Sequence, residues 1–375
     1  MITNEMMRIV SLSDICNYVN SKIPVEQVQL ANYVSTENLL QNKGGLSVAN
    51  KLPSGKVTAF QVGDVLVSNI RPYFKKIWLA DRSGGASNDV LVFRKLNDNV
   101  CEKYLYYILA DDRFFAFSTA SASGSKMPRG DKAQIMNYPI NLPPLDQQKK
   151  IANILSSLDE KIELNRRMNE TLEQLGQALF RHYFVDNPEA KNWDEGTLGD
   201  IMNITMGQSP PGKSYNNNGD GVVFYQGRAD FGLRYPNMRL FTTDPKRFAK
   251  VGDVLLTVRA PVGDVNQASE RCCIGRGLAA ISSRTGAVSF CYYYCHQLKA
   301  DFLEYNSEGT VFGSINSKQL KALKLKIPPI GLVEKFENEV AVIDKTIMLN
   351  SYQVKTLVVL RDSLLPKLIS GGIEV

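Results

Sequence analysis

PPLDQQKKIANILSSLDEKIELN, residues 143–165, and PPIGLVEKFENEVAVIDKTIMLN, residues 328–350, are two versions of one pattern, offset by 185 residues. Leu158-Asp159 falls on Ile343-Asp344, Ile162 on Ile347, and Leu164-Asn165 on Leu349-Asn350. Further on, Leu172, Leu175 and Leu179 fall on Leu357, Leu360 and Leu364. The match runs without a gap over about 30 residues, which marks an internal duplication.

Each copy reads as a long amphipathic helix. Residues 146–184 contain neither Gly nor Pro except Gly176. Ile151, Ile154, Leu155, Leu158, Ile162, Met168, Leu172, Leu175 and Leu179 recur there every three to four residues, as a coiled-coil seam requires. Asp146 follows two prolines and is the expected N-cap, and Pro188 closes the far end. The second copy carries Phe336, Val340, Ile343, Ile347, Val354, Leu357, Leu360 and Leu364, with Pro366 expected to end or kink it. The expected contact line is Ile151, Leu158, Asn165, Leu172 and Leu179 against Phe336, Ile343, Asn350, Leu357 and Leu364. Asn165 and Asn350 each lie mid-helix on the seam. Antiparallel pairing predicts that they meet and fix the register. A helix of about 38 residues spans roughly 57 Å and suits a spacer between two domains.

The duplication extends backwards, with small drifts in offset where loops differ. Gly63-Asp64-Val65-Leu66 answers Gly252-Asp253-Val254-Leu255, and each is followed by Arg-Pro or Arg-Ala-Pro. Ser123-Gly124-Ser125 answers Glu308-Gly309-Thr310, and Leu12-Ser13-Asp14-Ile15 answers Leu198-Gly199-Asp200-Ile201. The expected order is therefore a globular domain over 1–142, a long helix over 143–187, a second globular domain over 188–327 and a second helix over 328–375. Residues 57–60, 65–69, 77–80 and 90–93 read as strands in the first domain, and 222–225, 254–258 and 279–282 in the second. Helical patches are expected at 102–115 and 290–305. The fold class is α+β (or α/β): two similar domains of mixed, curled sheet with short helices, separated by two long helices that form an antiparallel coiled coil.

Charge repeats with the same period. Residues 1–145, 146–192, 193–330 and 331–375 carry +4, −1, +4 and −1, which accounts for the net +6. The positive charge sits on the globular segments, so these, and not the helices, are the expected nucleic-acid surface. Arg, Lys and Gln cluster with aromatics in their loops: Arg71, Lys75, Lys76, Lys126 and Arg129 in the first, and Gln208, Lys213, Gln226, Arg228, Arg259 and Arg276 in the second. These side-chain types hold phosphates and read base edges.

Other chemistries find little support. Residues 207–214, Gly-Gln-Ser-Pro-Pro-Gly-Lys-Ser, satisfy the Walker A pattern and keep a nucleotide-binding enzyme as one alternative. Pro210 and Pro211 have no N–H to give a phosphate, and the Asn- and Gly-rich run that follows does not read as a helix. A coiled-coil scaffold without DNA binding is a second alternative. Cys291 and Cys295 share a helix face with His296, but no second ligand cluster accompanies them, and no metal is expected. With 2 histidines there is little material for acid–base catalysis, and no catalytic residue is assigned. Scattered cysteines, no long apolar run and no apolar core in the first residues are the pattern of a cytoplasmic protein.

The whole pattern resembles the specificity subunit of type I restriction–modification enzymes. Gly207-Gln208-Ser209-Pro210, Arg259-Ala260-Pro261-Val262-Gly263-Asp264-Val265, Ile274-Gly275-Arg276-Gly277-Leu278-Ala279-Ala280 and Leu364-Leu365-Pro366-Lys367-Leu368-Ile369-Ser370-Gly371 carry the likeness. The first domain departs from it, with Arg71-Pro72-Tyr73 in place of the longer Arg-Ala-Pro phrase. The resemblance implies that each domain reads one half of a bipartite, asymmetric DNA target, and that the coiled coil sets the spacing. It implies a non-catalytic adaptor on which two methyltransferase subunits dock, joined in the full complex by restriction subunits. No cofactor is expected on this chain; S-adenosylmethionine, ATP and magnesium belong to the partner subunits.

Overall fold

The computed structural model describes residues 8–124, 126–306 and 313–375. The chain divides into two compact units, Met1–Glu163 with Val354–Val375, and Leu164–Gln353.

The duplication is visible strand for strand. In the first unit an antiparallel sheet runs in the order Cys16–Tyr18, Val90–Lys95, Val65–Ser68, Ile77–Leu79. In the second unit Met202–Met206, Leu278–Ser283, Val254–Thr257 and Val265–Gln267 repeat that order and sense. Each unit also holds a mixed sheet with one parallel pair, Tyr33–Val34 beside Gly84–Ala86 and Val222–Tyr225 beside Cys272–Ile274. The segments Val65–Ser68 and Val254–Thr257 are buried at every residue, which explains the three successive apolar side chains that open each. Both are entered through a glycine in the left-handed region, Gly63 at φ 88° and Gly252 at φ 87°. The next residue locks each turn: Asp64 accepts from the Gln61 amide at 2.8 Å and Asp253 from the Lys250 amide at 2.7 Å. The same economy recurs at the Leu12 and Leu198 turns, where Asp14 accepts from the Ser11 amide and Asp200 from the Thr197 amide. Of the repeat at 123–125 and 308–310, Ser125 and all of 308–310 lie outside the described residues.

Two helical expectations are corrected. The patch at 102–115 is two helices, Glu102–Ala110 and Asp112–Ala120, because Asp111 is extended and caps the second by accepting from the Arg113 amide at 2.8 Å. The patch at 290–305 is a helix, Val288–Gln297, followed by a separate 3-10 turn, Asp301–Asn306.

The long helices are Leu145–Phe180, prolonged by a π turn Arg181–Val185, and Ile330–Ile369. Asp146 is not the cap, since Leu145 is already helical. Pro366 does not end the second helix: Leu365, Leu368 and Ile369 around it are buried in the first unit's core, and that packing outweighs one missing N–H. In each unit the helices run antiparallel. Arg361 pairs with Asp159 at 2.7 Å in the first unit; in the second, Asn165 pairs with Gln353 at 2.7 Å and Tyr183 with Glu339 at 2.7 Å. Ile151, Asn165 and Phe336 are buried, and Leu158, Leu172, Leu179, Ile343, Asn350, Leu357 and Leu364 half-buried. Ile154, Met168, Leu175 and Leu360 share the periodic pattern but are exposed, because a pair of helices covers only a narrow seam. The ends of the helices join the cores of the units: Ile151 and Leu155 pack with Tyr104 and Phe114, and Phe180 and Phe336 with Phe290 and Tyr293.

Candidate nucleic-acid interface

Three phrases that lie far apart in the second half of the sequence meet at one open cavity of about 660 Å³ in the second unit. Gln226 and Arg228 line it from the loop after Val222–Tyr225, Arg259 from the loop after Val254–Thr257, and Arg276 from the turn after Cys272–Ile274. All four side chains are exposed. Ser209, Tyr215 and Thr257 complete the polar lining. Gln208 and Lys213 are exposed on the same segment as Ser209 but are not among the lining residues.

Backbone contacts bring these loops together. The Gly207 amide donates to Leu278 O at 2.9 Å, the Gln208 amide to Ile274 O at 3.0 Å and the Arg276 amide to Ser209 Oγ at 3.2 Å. The approach is so close that a Cβ on Gly207 would stand 2.2 Å from Gly275 O, and one on Gly277 2.5 Å from Gln226 O. Glycine at these two positions is therefore a packing requirement and not a phosphate cradle. The segment after Ser214 enters a strand, Tyr215–Asn216, where a P-loop would enter a helix.

Carboxylates behind the lining hold its donors in place. Asp230, 3% exposed, accepts from the Gln226 and Gly227 amides at 2.7 and 3.2 Å and pairs with Arg239. Asp264 receives Arg228 Nε at 2.7 Å and Lys299 Nζ at 3.2 Å, and its amide donates to Thr257 Oγ1 at 2.9 Å. Arg228 is 54% exposed, so this pair orients the guanidinium more than it stabilises the fold. The result is an open concave face lined by exposed amide and guanidinium groups, the side-chain types that hold phosphates and read base edges.

The first unit closes the related loop with a similar bridge. The residue before Arg71 forms a β-bridge with Arg129, as Arg259 does with Ser314 in the second unit. Arg71 adopts a left-handed conformation at φ 50° and its Nη2 donates to Lys126 O at 3.3 Å. Arg71, Lys126 and Arg129 are thus adjacent, with Arg129 also on Asp89 at 3.1 Å. Lys75 and Lys76 already have partners within the unit: Lys75 pairs with Asp112 at 2.7 Å at the surface, and Lys76 donates to the half-buried Thr36 O. Burial lowers the pKa of Lys76 against a smaller opposing pull from Glu37.

Sequence reasoning missed Asp230 and Arg234. Asp230 stands three residues after Gly227, a capping spacing that could have been noticed. Arg234, 2% exposed, gave no signal, since a lone Arg among Gly, Leu, Tyr and Pro reads as a solvated loop. Cys291 and Cys295 are buried in the second unit's core, and among the described residues no group of three His, Cys, Asp or Glu could hold a metal ion. No described helix is long and apolar enough to cross a membrane.

Known proteins share this pattern. The profile of the family described as the type I restriction modification DNA specificity domain matches twice, over residues 4–174 and 190–335. A Methanocaldococcus jannaschii relative named as the MjaX type I restriction enzyme specificity subunit is 32% identical over 308 residues, 76% of this chain and 72% of its own. The HindI specificity subunit of Haemophilus influenzae is 22% identical over 461 residues, 97% of this chain and 98% of its own. In fold, the chain matches the crystal structure of a type I restriction–modification S subunit from M. genitalium with a TM-score of 0.62, at 18% identity and 98% coverage of both chains.

Proposed function

This chain belongs to the type I restriction–modification DNA specificity family and carries two of its domains, and from that premise we propose that each domain reads one half of a bipartite, asymmetric DNA target. The boundaries we assign are 1–142 and 188–327 for the recognition domains, with long helices over 143–187 and 328–375. The observation that carries the reading is the convergence of Gln226, Arg228, Arg259 and Arg276 on one concave face, with Arg71, Lys126 and Arg129 grouped at the related place in the first unit. Gln208, Lys213, Lys75 and Lys76 act around these centres, as outer phosphate contacts or loop supports. The helix pair sets the distance between half-sites and docks two methyltransferase subunits. The chain performs no catalysis, and restriction subunits join the full complex.

The test is to express the chain with its partner methyltransferase and map methylated bases across the host genome. A two-part motif with a fixed gap is expected. Exchanging residues 1–142 for the same domain of a relative should change one half only. A single uninterrupted motif, or simultaneous change of both halves, would overturn the reading.

A further inference from the structure

Asp159 and Asp344 occupy the same place in the two repeats, 185 residues apart, each on a long helix. Each is matched by a guanidinium, but from different sources. In the first unit Arg361, on the second long helix, places Nη1 2.7 Å from Asp159 Oδ1, while Tyr107 Oη donates to Asp159 Oδ2 at 2.7 Å. The repeat partner of Arg361 is Gly176, which has no side chain to offer. In the second unit Arg234 supplies the charge from the loop between Val222–Tyr225 and Phe241–Thr242. Its Nη2 lies 3.0 Å from Asp344 Oδ2, and its Nη1 lies 2.9 Å from Glu173 Oε2 and 3.1 Å from Tyr293 Oη. The guanidinium stacks 3.5 Å from the centre of the Tyr292 ring. Gly176 leaves the room for this: a Cβ there would stand 2.1 Å from Tyr293 Oη.

The loop that carries Arg234 also carries Gln226 and Arg228. It is tied along its length: Gln267 N donates to Arg234 O at 2.9 Å, Asn266 Nδ2 to Gly232 O at 3.0 Å, and Asn237 N to Asp230 O at 2.8 Å. A buried ion pair is a weak source of stability compared with apolar packing of the same volume, and its best-attested use is to specify one arrangement. We propose that Arg234 is a positioning residue for DNA recognition, pinning the second domain's reading loop to carboxylates on both long helices. The first domain needs no such tie, because Arg361 closes the equivalent site from within the helix pair. The inference rests on the reading that the cavity faces DNA.

The experiment uses the complete complex of this chain with its methyltransferase subunits, genome-wide methylation mapping and thermal melting. Exchange of residues 188–327 first assigns the second half-motif. Arg234→Met is expected to relax discrimination in that half by tenfold or more while the first half is kept. Arg234→Met combined with Gly176→Arg and Tyr293→Ile puts an arginine on the helix at the place equivalent to Arg361, with Tyr293, whose ring would meet it and whose hydroxyl donates to Asp344 at 3.0 Å, removed to make room. This variant is expected to recover part of the melting temperature lost in Arg234→Met but to keep the relaxed half-motif. Arg234→Lys keeps the charge without the planar pair of donors, and intermediate relaxation confined to the second half is expected. Unaltered discrimination in both Arg234→Met and Arg234→Lys overturns the inference alone. So does recovery of the second half-motif together with melting temperature in the triple variant. A wild-type complex with no two-part motif overturns the functional reading and this inference with it.

Discussion

Asn350 Nδ2 donates to Asn169 Oδ1 at 3.0 Å, one helical turn beyond the residue that the seam pattern pairs with it. Asn165 is fully buried, but its amide donates to Gln353 Oε1 at 2.7 Å. Asn169, 3% exposed, also reaches Ile347 O at 3.2 Å and Ser351 Oγ at 3.0 Å. Gln353 on Asn165 and Asn350 on Asn169 share one register, displaced by about one turn from the register that would bring Asn165 to Asn350.

Asn169→Leu is therefore expected to cost about 1–3 kcal/mol, since it strands the Asn350 amide in a half-buried site. Adding Asn350→Leu should restore part of that loss. Thermal or urea melts of the two singles and the double measure the coupling; Asn165→Leu with Asn350→Leu is the control expected to add simply.

Gly176→Ala should destabilise the second unit, against the usual trend for a helix. At an exposed helical position the change stabilises by about 1 kcal/mol. Here the new methyl would meet Tyr293 Oη at 2.1 Å and Cζ at 2.4 Å, and overpacking costs roughly 1–3 kcal/mol. A melting temperature equal to or above wild type would show that Tyr293 moves aside freely.

Stability should fall with acidification through His296. Burial pushes this imidazole down to about 4, with Arg234 and Lys299 acting the same way against Glu173 and Asp264. The unfolded chain takes up the proton near its ordinary value of 6.5, the folded chain only near 4. The stabilisation is thus complete above 6.5 and is lost as pH drops from there towards 4. Urea midpoints across this window should slope for wild type and flatten for His296→Gln, which cannot titrate.

On duplex DNA, Arg259→Ala and Arg276→Ala should each lower affinity and reduce the slope of log K against log salt by about 1 if they contact phosphate. A residue that reads a base instead leaves the slope and relaxes one position of the motif. Titrations at several salt concentrations distinguish the two roles, and a variant that moves neither quantity has no part in binding.

If the helix pair is the ruler, one extra heptad at matched points near Leu158 and Leu357 keeps the seam in phase. It adds about 10 Å at 1.5 Å per residue, or roughly three base pairs at 3.4 Å each. Methylation mapping should return the original half-motifs with a gap lengthened by that amount. An unchanged gap would remove the helices from this role.

The sequence by itself determined the duplication, the two long helices, most of the central strands and the chemical type of the cavity lining. Each of these depends on local periodicity or on short phrases such as Gly252-Asp253, whose turn geometry is set within four residues. Only the tertiary structure decided which lining residues come together, because Gln226, Arg259 and Arg276 are joined by backbone contacts between distant loops. It also decided which lysines are already paired: Lys75 and Lys76 look like free charges until Asp112 and Thr36 O are placed beside them. Arg234 and Gly176 show the limit most clearly. A buried guanidinium exists only where Glu173, Asp344 and the tyrosines of another helix surround it, and no pattern within its own loop encodes that company.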